Sequence, residues 1–236
     1  LISLAEEAIS NKISPILQWD ILSTENKFQQ SLKILNSLPL KIFNAVRVQD
    51  LGAAEWIRQE YPKIPIHLIV ETGNHNLIGL LRLSEYFGKQ IERFILSTEL
   101  PKSKLIKYSQ TLSTDCEILC IGRILLFYSP RKLLRKYNYL KKSNHSLETN
   151  LVSDDNKQKI FPTIENHHGT FMFFNRDLFL LDLLPELINS GLSILRIDLR
   201  HINFSNTWLK KLNSIIELFD KNKIDELKSS WPVKIT

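Results

Sequence analysis

The chain has 236 residues, 43% of them hydrophobic and 24% charged, which suits one soluble globular domain with a sizeable core. No apolar run approaches the ~20 residues of a membrane-spanning helix, and nothing at the N-terminus resembles a signal peptide. The formal charge of +6 permits contact with RNA or another polyanion without demanding it.

Leu1 to Asn11 reads as part of an amphipathic helix, so the chain is expected to begin mid-domain. Ile13 to Leu22 reads as a strand that delivers Gln18, Trp19 and Asp20. Ser23 or Thr24 caps the next helix, with Glu25 in its first turn. That helix runs to about Ser37. Phe43 to Val48 is a strand, and Asp50 caps a helix over Leu51 to Glu60 that Pro62 closes. Ile66 to Val70 is a strand ending in Glu71-Thr72-Gly73-Asn74. A helix follows to Phe87, with Gly88 as its C-terminal stop. Arg93 to Leu96 is a strand ending in Ser97-Thr98-Glu99, and Pro101 to Leu112 is a helix.

Cys116 to Ile121 is almost unbroken apolar sequence and reads as a buried strand. Gly122 is expected to end it, letting the backbone turn or approach something closely. Arg123 would then emerge at the strand end, with Tyr128, Ser129 and Arg131 shortly after. Cys116 and Cys120 share one face of this strand and lie too far apart for a disulfide, so they read as core. The scarcity of cysteine fits a reducing cytoplasm.

The regularity breaks after Pro130. Residues 131–156 are polar and basic and read as an excursion loop. Lys159 to Ile164 and Thr170 to Phe174 read as a hairpin around Glu165-Asn166-His167-His168-Gly169. Asn175 caps a helix that Pro185 restarts and Gly191 ends. Ile194 to Asp198 is a last strand, and Asn206 to Asp220 an amphipathic helix. Strands alternating with helices predict an α/β fold with six parallel strands, near residues 16, 45, 68, 94, 119 and 196. A (β/α) barrel needs eight. Two further βα units before Leu1 would complete a TIM-barrel-like domain; an open six-stranded sheet is the competitor. The expected organisation is barrel units over 1–130, the basic loop over 131–156, and the hairpin and closing βα unit over 157–236.

Glu117, Gly122, Ile124, Tyr128, Ser129 and Arg131 fall on a pattern that resembles the signature of the collagenase-like peptidase family U32. The segment Gly122 to Arg131 is most similar to the family's V-type accessory branch for oxygen-independent ubiquinone synthesis. Val48-Gln49-Asp50-Leu51-Gly52, Ile64-Pro65-Ile66-His67 and Glu99-Leu100 match further family motifs. So do Phe161-Pro162, Glu165-Asn166, Gly169-Thr170, Asn175, Asp177-Leu178 and Leu184-Pro185-Glu186-Leu187, then Gly191, Ile197 and Arg200. The resemblance covers most of residues 3–201 and implies a barrel. Both signature cysteines are replaced, by Leu125 and Lys132. A second pair is absent between Asn138 and Ser146. The iron–sulfur cluster that the branch carries is therefore not expected here, and no other cofactor is.

In such a barrel the strand C-termini form the active face. They deliver Asp20, Asp50, Glu71, Glu99, Arg123, Tyr128, Arg131, Asp198, Arg200 and His201. The ligand-binding candidates are Arg123, Tyr128, Arg131, Glu71, Glu99, Asp198 and Arg200, where paired arginines suit an anion. The alternative is a ring of ion pairs that ties the loops down, and for Asp50 a helix cap. Unpaired donors on Arg123 or Arg200 would favour the ligand; saturation by Glu71 and Glu99 would favour the scaffold. His67, early on its strand, reads as a core histidine. His167 and His168, being adjacent, should point to opposite sides if extended, within an exposed turn. No metal set is expected: His-x-x-x-His, Cys-x-x-Cys and the nucleophile elbow are all missing. Arg131, Lys132, Arg135, Lys136, Lys141 and Lys142, with Tyr137 and Tyr139 among them, form a basic run. It reads either as a solvated loop or as a contact for single-stranded RNA.

The resemblance divides the functional reading three ways. One is a cluster-less accessory or binding protein related to ubiquinone hydroxylation, with a related barrel protein as its heterodimer partner. The second is a collagenase-like peptidase, although no catalytic set is recognisable. The third is a protein of RNA hydroxylation, as in family relatives that modify ribosomal or transfer RNA. An anionic small molecule or RNA is the expected ligand.

Overall fold

Alternation of apolar strands and amphipathic helices produces a mixed α/β structure. The computed structural model describes residues 1–71, 76–137, 147–152, 160–200, 206–220 and 223. Its contacts divide the chain into two compact units, Leu1–Ile118 with Leu192–Ile194, and Leu119–Gly191 with Leu195–Thr236.

In the first unit the order is α1 (Ile2–Ser10), β1 (Ile16–Trp19), α2 (Glu25–Asn36), β2 (Ala45–Val48), α3 (Leu51–Glu60), β3 (Ile66–Ile69), α4 (Leu77–Phe87), β4 (Ile91–Ile95), α5 (Lys102–Thr111) and the start of β5 (Asp115–Ser129). Each strand pairs in parallel with the next, from β1 to β5. A helix between successive strands is the connection that parallel pairing requires. All four residues of β3 are buried, as both faces of a parallel sheet require. The helix ends follow local chemistry. Asp50 Oδ1 accepts from the Ala53 N–H at 3.0 Å and starts α3, and Asn76 Oδ1 accepts from the Gly79 N–H at 2.8 Å and starts α4. Gly88, at φ 58°, follows α4 in a conformation that glycine adopts without strain. Thr24 sits at the N-cap position of α2, but its hydroxyl makes no capping bond. The Ser23 N–H is instead bonded to Asp50 Oδ2, at 3.3 Å.

The second unit holds the rest of β5, then α6 (Leu133–Tyr137), β6 (Leu147–Val152), β7 (Ile160–Asn166), β8 (Gly169–Phe179), α7 (Leu184–Asn189), most of β9 (Ile194–Ile197) and α8 (Asn206–Asp220). Here β5, β8, β7 and β6 pair antiparallel in that order, and β9 pairs with β5. Cys120, Ile121, Leu181, Leu184 and Ile215 form the core, with Phe179, Leu195 and Leu218 against it. Pro185 occupies the first turn of α7, where its missing N–H costs nothing.

Several expectations are corrected. Gly122 does not end the strand: β5 runs through it to Ser129. The glycine serves close approach instead. At φ 150°, a Cβ there would lie 2.9 Å from Asp198 Cβ and 3.0 Å from Asp198 O, where the Asp198 N–H donates to Ile121 O. Asn175 is no helix cap but lies inside β8, because hairpin pairing with β5 outlasts the apolar run. Residues 131–156, read as a loop, contain α6 and β6 among their described part. The strand expected near residue 196 is β9 and the expected hairpin is β7 with β8, whereas β6 is an additional strand.

Candidate functional site

Parallel register brings charged side chains into a row on one face of the first unit's sheet. Gln18 pairs with Arg47, Arg47 with His67, His67 with Arg93, and Arg93 with Asp115. Glu117, two residues beyond Asp115, shares that face. Arg47 Nη2 donates to both Glu117 carboxylate oxygens, at 2.6 and 2.5 Å, and Arg93 Nη1 donates to Oε2 at 3.0 Å. Glu117 is 1% exposed, and the two arginines 13% and 17%. Two guanidinium groups therefore converge on one buried carboxylate. Short, charge-assisted bonds of this kind are the strong ones, and burial raises both their strength and the cost of breaking them.

His67 lies between the two arginines in the row and is buried. Its Nε2 is 2.9 Å from Glu92 Oε1. Burial pushes its pKa below the ordinary value, against the pull of Glu92, and the nearby Arg93 and Arg47 lower it further. A neutral ring that donates from Nε2 to Glu92 fits both facts, and leaves Nδ1 buried without a hydrogen-bond partner. The core reading of His67 accords with this geometry. The cluster can do two things chemically. It ties β2, β4 and β5 together, and it presents guanidinium groups in a buried setting where an oxyanion is bound strongly.

The residues singled out in the sequence fall in both units. In the first, Glu71 follows β3 half-buried, and Glu99 is exposed after β4, its N–H donating to Ser97 Oγ at 3.2 Å. Asp20 accepts from Gln18, and Asp50 is the cap of α3. In the second, Arg123 lies within β5 rather than at a strand end. It faces Asp177 of β8, with Nε 3.3 Å from Oδ1 and both side chains 27% exposed. Arg200 Nη2 is 2.6 Å from Asp198 Oδ2. Burial pushes the Asp198 carboxyl up, but the Arg200 hydrogen bonds outweigh it and hold the pKa below the ordinary value. Within the second unit, Arg123 thus has Asp177 as a carboxylate partner and Arg200 has Asp198.

Tyr128 donates to His168 O at 3.1 Å and stacks on Phe171, with ring centres 4.8 Å apart. The exposed Arg131 is held by its backbone: its N–H donates to Ser129 Oγ and its carbonyl accepts from Thr170 Oγ1. The His167 and His168 rings lie 3.6 Å apart rather than on opposite sides, because the pair forms the turn between β7 and β8. His201, Tyr139, Lys141 and Lys142 lie outside the described residues. Cys116 and Cys120 are buried, and burial pushes both thiols up to about 12, so they are packing residues without thiolate chemistry. Among the described residues, no three His, Cys, Asp or Glu side chains are placed to hold a metal ion.

Sequence reasoning missed Arg47, Arg93, Asp177 and the role of Glu165. A signal existed for the first two. Each is a cation inside an apolar strand, Val46-Arg47-Val48 and Arg93-Phe94-Ile95, and a buried cation demands a partner. Glu165 carries no such signal. It is fully buried on β7 and accepts from the Leu134 N–H at 2.6 Å and from Thr170 Oγ1 at 2.9 Å, which ties the start of α6 to the hairpin.

The model for Peptidase family U32 matches residues 1–227. Among curated proteins, the chain is 24% identical over 148 residues to tRNA hydroxylation protein P2 of Bacillus subtilis (strain 168). That alignment covers 60% of this chain and 47% of the relative, so the chain spans about half of that protein's length. No solved structure matches. The charged row on β2 to β5, two of whose arginines bind Glu117 of the signature strand, therefore lies within a match that runs nearly the length of the chain, and the protein belongs to peptidase family U32.

Proposed function

We propose that this protein takes part in RNA modification, by contributing to the hydroxylation of tRNA. The similarity to tRNA hydroxylation protein P2 carries this reading. The net charge of +6 and the exposed Arg131 and Lys132 support contact with a polyanion. The parallel βα order from β1 to β5 supports a TIM-barrel-like scaffold, with Glu117 and its two arginines tying β2, β4 and β5 together. Arg123, Tyr128, Arg131, Asp198 and Arg200 are the ligand-binding candidates of the second unit, and Glu71 and Glu99 those of the first; of these the arginines and Tyr128 suit RNA. Leu125 and Lys132, in place of thiolates, support action without a family-type iron–sulfur cluster.

The test is nucleoside analysis of tRNA from a strain lacking the gene. Hydroxylated nucleosides, measured by chromatography and mass spectrometry, should fall and return when the full-length gene is restored. An unchanged nucleoside profile would defeat the reading. If ubiquinone content under oxygen-free growth changed instead, the ubiquinone alternative would replace it. Turnover of gelatin by the purified protein would favour the peptidase.

A further inference from the structure

Past Gly122, β5 and β8 continue as an antiparallel ribbon, with β7 on the far side of β8. Leu125, Leu126 and Phe127 on β5 and Phe174 on β8 are all exposed, Phe127 and Phe174 by 42% and 37%. Exposed aromatic and aliphatic side chains gathered on one ribbon are unusual for a surface with no partner. The charges beside them are one-sided. Arg131 and Lys132 at the end of β5 and Arg176 on β8 are exposed cations. Within residues 121–135 and 165–179 the acidic side chains are Asp177 and Glu165. Asp177 already faces Arg123, and Glu165 is fully buried under the start of α6, 3.5 Å from Arg135 Nε. The field presented to solvent along the ribbon is therefore positive.

The exposed cations are also held in place. Thr170 Oγ1 bonds the Arg131 carbonyl and accepts from the Leu133 N–H, and Glu165 receives the next N–H, from Leu134. Gly169, with a Cβ position only 2.1 Å from Ser129 O, lets the hairpin come this close. Arg131 and Lys132 thus project from backbone that buried groups fix against β8, which lowers the ordering cost of any contact they make.

We propose that the β5–β8 ribbon is a contact surface for single-stranded RNA. Phe127 and Phe174 supply flat faces on which bases stack, and Arg131, Lys132 and Arg176 engage the phosphates. Stacking on aromatic side chains beside a cationic track is how single strands are held without base-edge readout. An acidic protein partner would meet the same charge, but it leaves the two exposed rings without a specific role. This inference rests on the tRNA reading above and adds the surface and the strand state of the RNA.

The experiment is fluorescence anisotropy with the full chain and a labelled single-stranded RNA of about 12 nucleotides, alongside a duplex of the same sequence. The single strand should bind more tightly than the duplex. Phe127→Ala combined with Phe174→Ala should weaken single-strand binding about tenfold, with a cooperative melt retained and only a modest fall in melting temperature because both rings are partly exposed. Lys132→Gln, tested separately, should lower the slope of log affinity against log salt by about one. Equal binding by wild type and the phenylalanine variant overturns the proposal. So does a preference for duplex, or failure of the wild type to bind either RNA. A partner protein retained by wild type and lost from the phenylalanine variant, with no RNA bound, assigns the ribbon to protein contact instead. The two readings fail separately. If the variants bind normally while the gene is required for tRNA hydroxylation, only the ribbon assignment falls. If the variants lose RNA while tRNA hydroxylation is independent of the gene, only the hydroxylation reading falls.

Discussion

Along β5, Glu117 is 1% exposed and held by two arginines, while further on Arg123 keeps 27% of its side chain exposed and faces one aspartate. Apolar residues change in the same direction. Ile118 to Ile121 are buried, whereas Leu125 to Phe127 are exposed. The amino acids of the two stretches are alike, so the neighbours make the difference. Glu117 lies beside β4 in the parallel sheet, and Cys120 and Ile121 pack in a core with Leu181, Leu184 and Ile215, whereas Leu125 to Ser129 pair with β8 in an antiparallel ladder. Water screens the ion pair of the ribbon and leaves it little net energy. The triad of the parallel sheet has been desolvated, so its attraction is strong but each of its charges depends on the others. The comparison separates a charge that the scaffold cannot lose from charges and rings that remain available to a ligand.

The largest expected effect comes from breaking the triad. Glu117→Ala leaves Arg47 and Arg93 buried without their shared carboxylate. It should cost about 3–5 kcal/mol, read as a fall in the urea midpoint. Arg123→Ala, the matched change in the ribbon, should cost less than about 1 kcal/mol. Equal losses for the two variants would erase the distinction between the two halves of the strand.

A smaller loss is expected at the hairpin. In Gly169→Ala the new Cβ would sit 2.1 Å from Ser129 O at a φ of 139°. Backbone must move, and the cost should be about 2 kcal/mol or more. Gly88→Ala makes the instructive contrast. Its φ is also positive, but no atom lies within 4 Å of the added Cβ, so only backbone strain, on the order of 1–3 kcal/mol, is at stake. A Gly169 variant as stable as the Gly88 variant would show that the ribbon tolerates separation of β5 from β8.

The smallest effect is a pH dependence in the first unit. Burial lowers the His67 pKa below its ordinary 6.5, so the unfolded chain takes up the proton more readily than the folded one. The stability associated with the neutral ring is present above 6.5 and is lost as pH falls below it. Thermal melts from about pH 7.5 down to about pH 5.5 should show a decline that is shallower in His67→Gln. Identical slopes for the two proteins would mean that protonated His67 is accommodated by Glu92.

Much of the fold was legible because it rests on local chemistry. The alternation from α1 to α5 follows from apolar periodicity. The start of α3 follows from the Asp50 side chain, the end of α4 from the backbone freedom of Gly88, and the turn at His167-His168 from the polar break between two apolar runs. Gly122 misled because glycine has two uses, turning and close approach. Which one operates depends on Asp198, distant in sequence, arriving against it. Asn175 misled for a related reason. Its preference for capping is weaker than the pairing of β8 with β5, which depends on both strands.

By itself the sequence determined the order of strands and helices, the positive charge balance, and the replacement of the signature thiolates by Leu125 and Lys132. Those properties are set by neighbouring residues or by composition, and they hold whatever the chain packs against. Only the tertiary structure decided that Arg47, Arg93 and Glu117 meet, across separations of up to 70 residues, that β5 continues past Gly122, and that its far half keeps its rings exposed. The physical reason is that burial and charge pairing belong to the assembled sheet. A residue's desolvation is set by the strands on either side of it, and strand register is fixed only when non-local pairing forms.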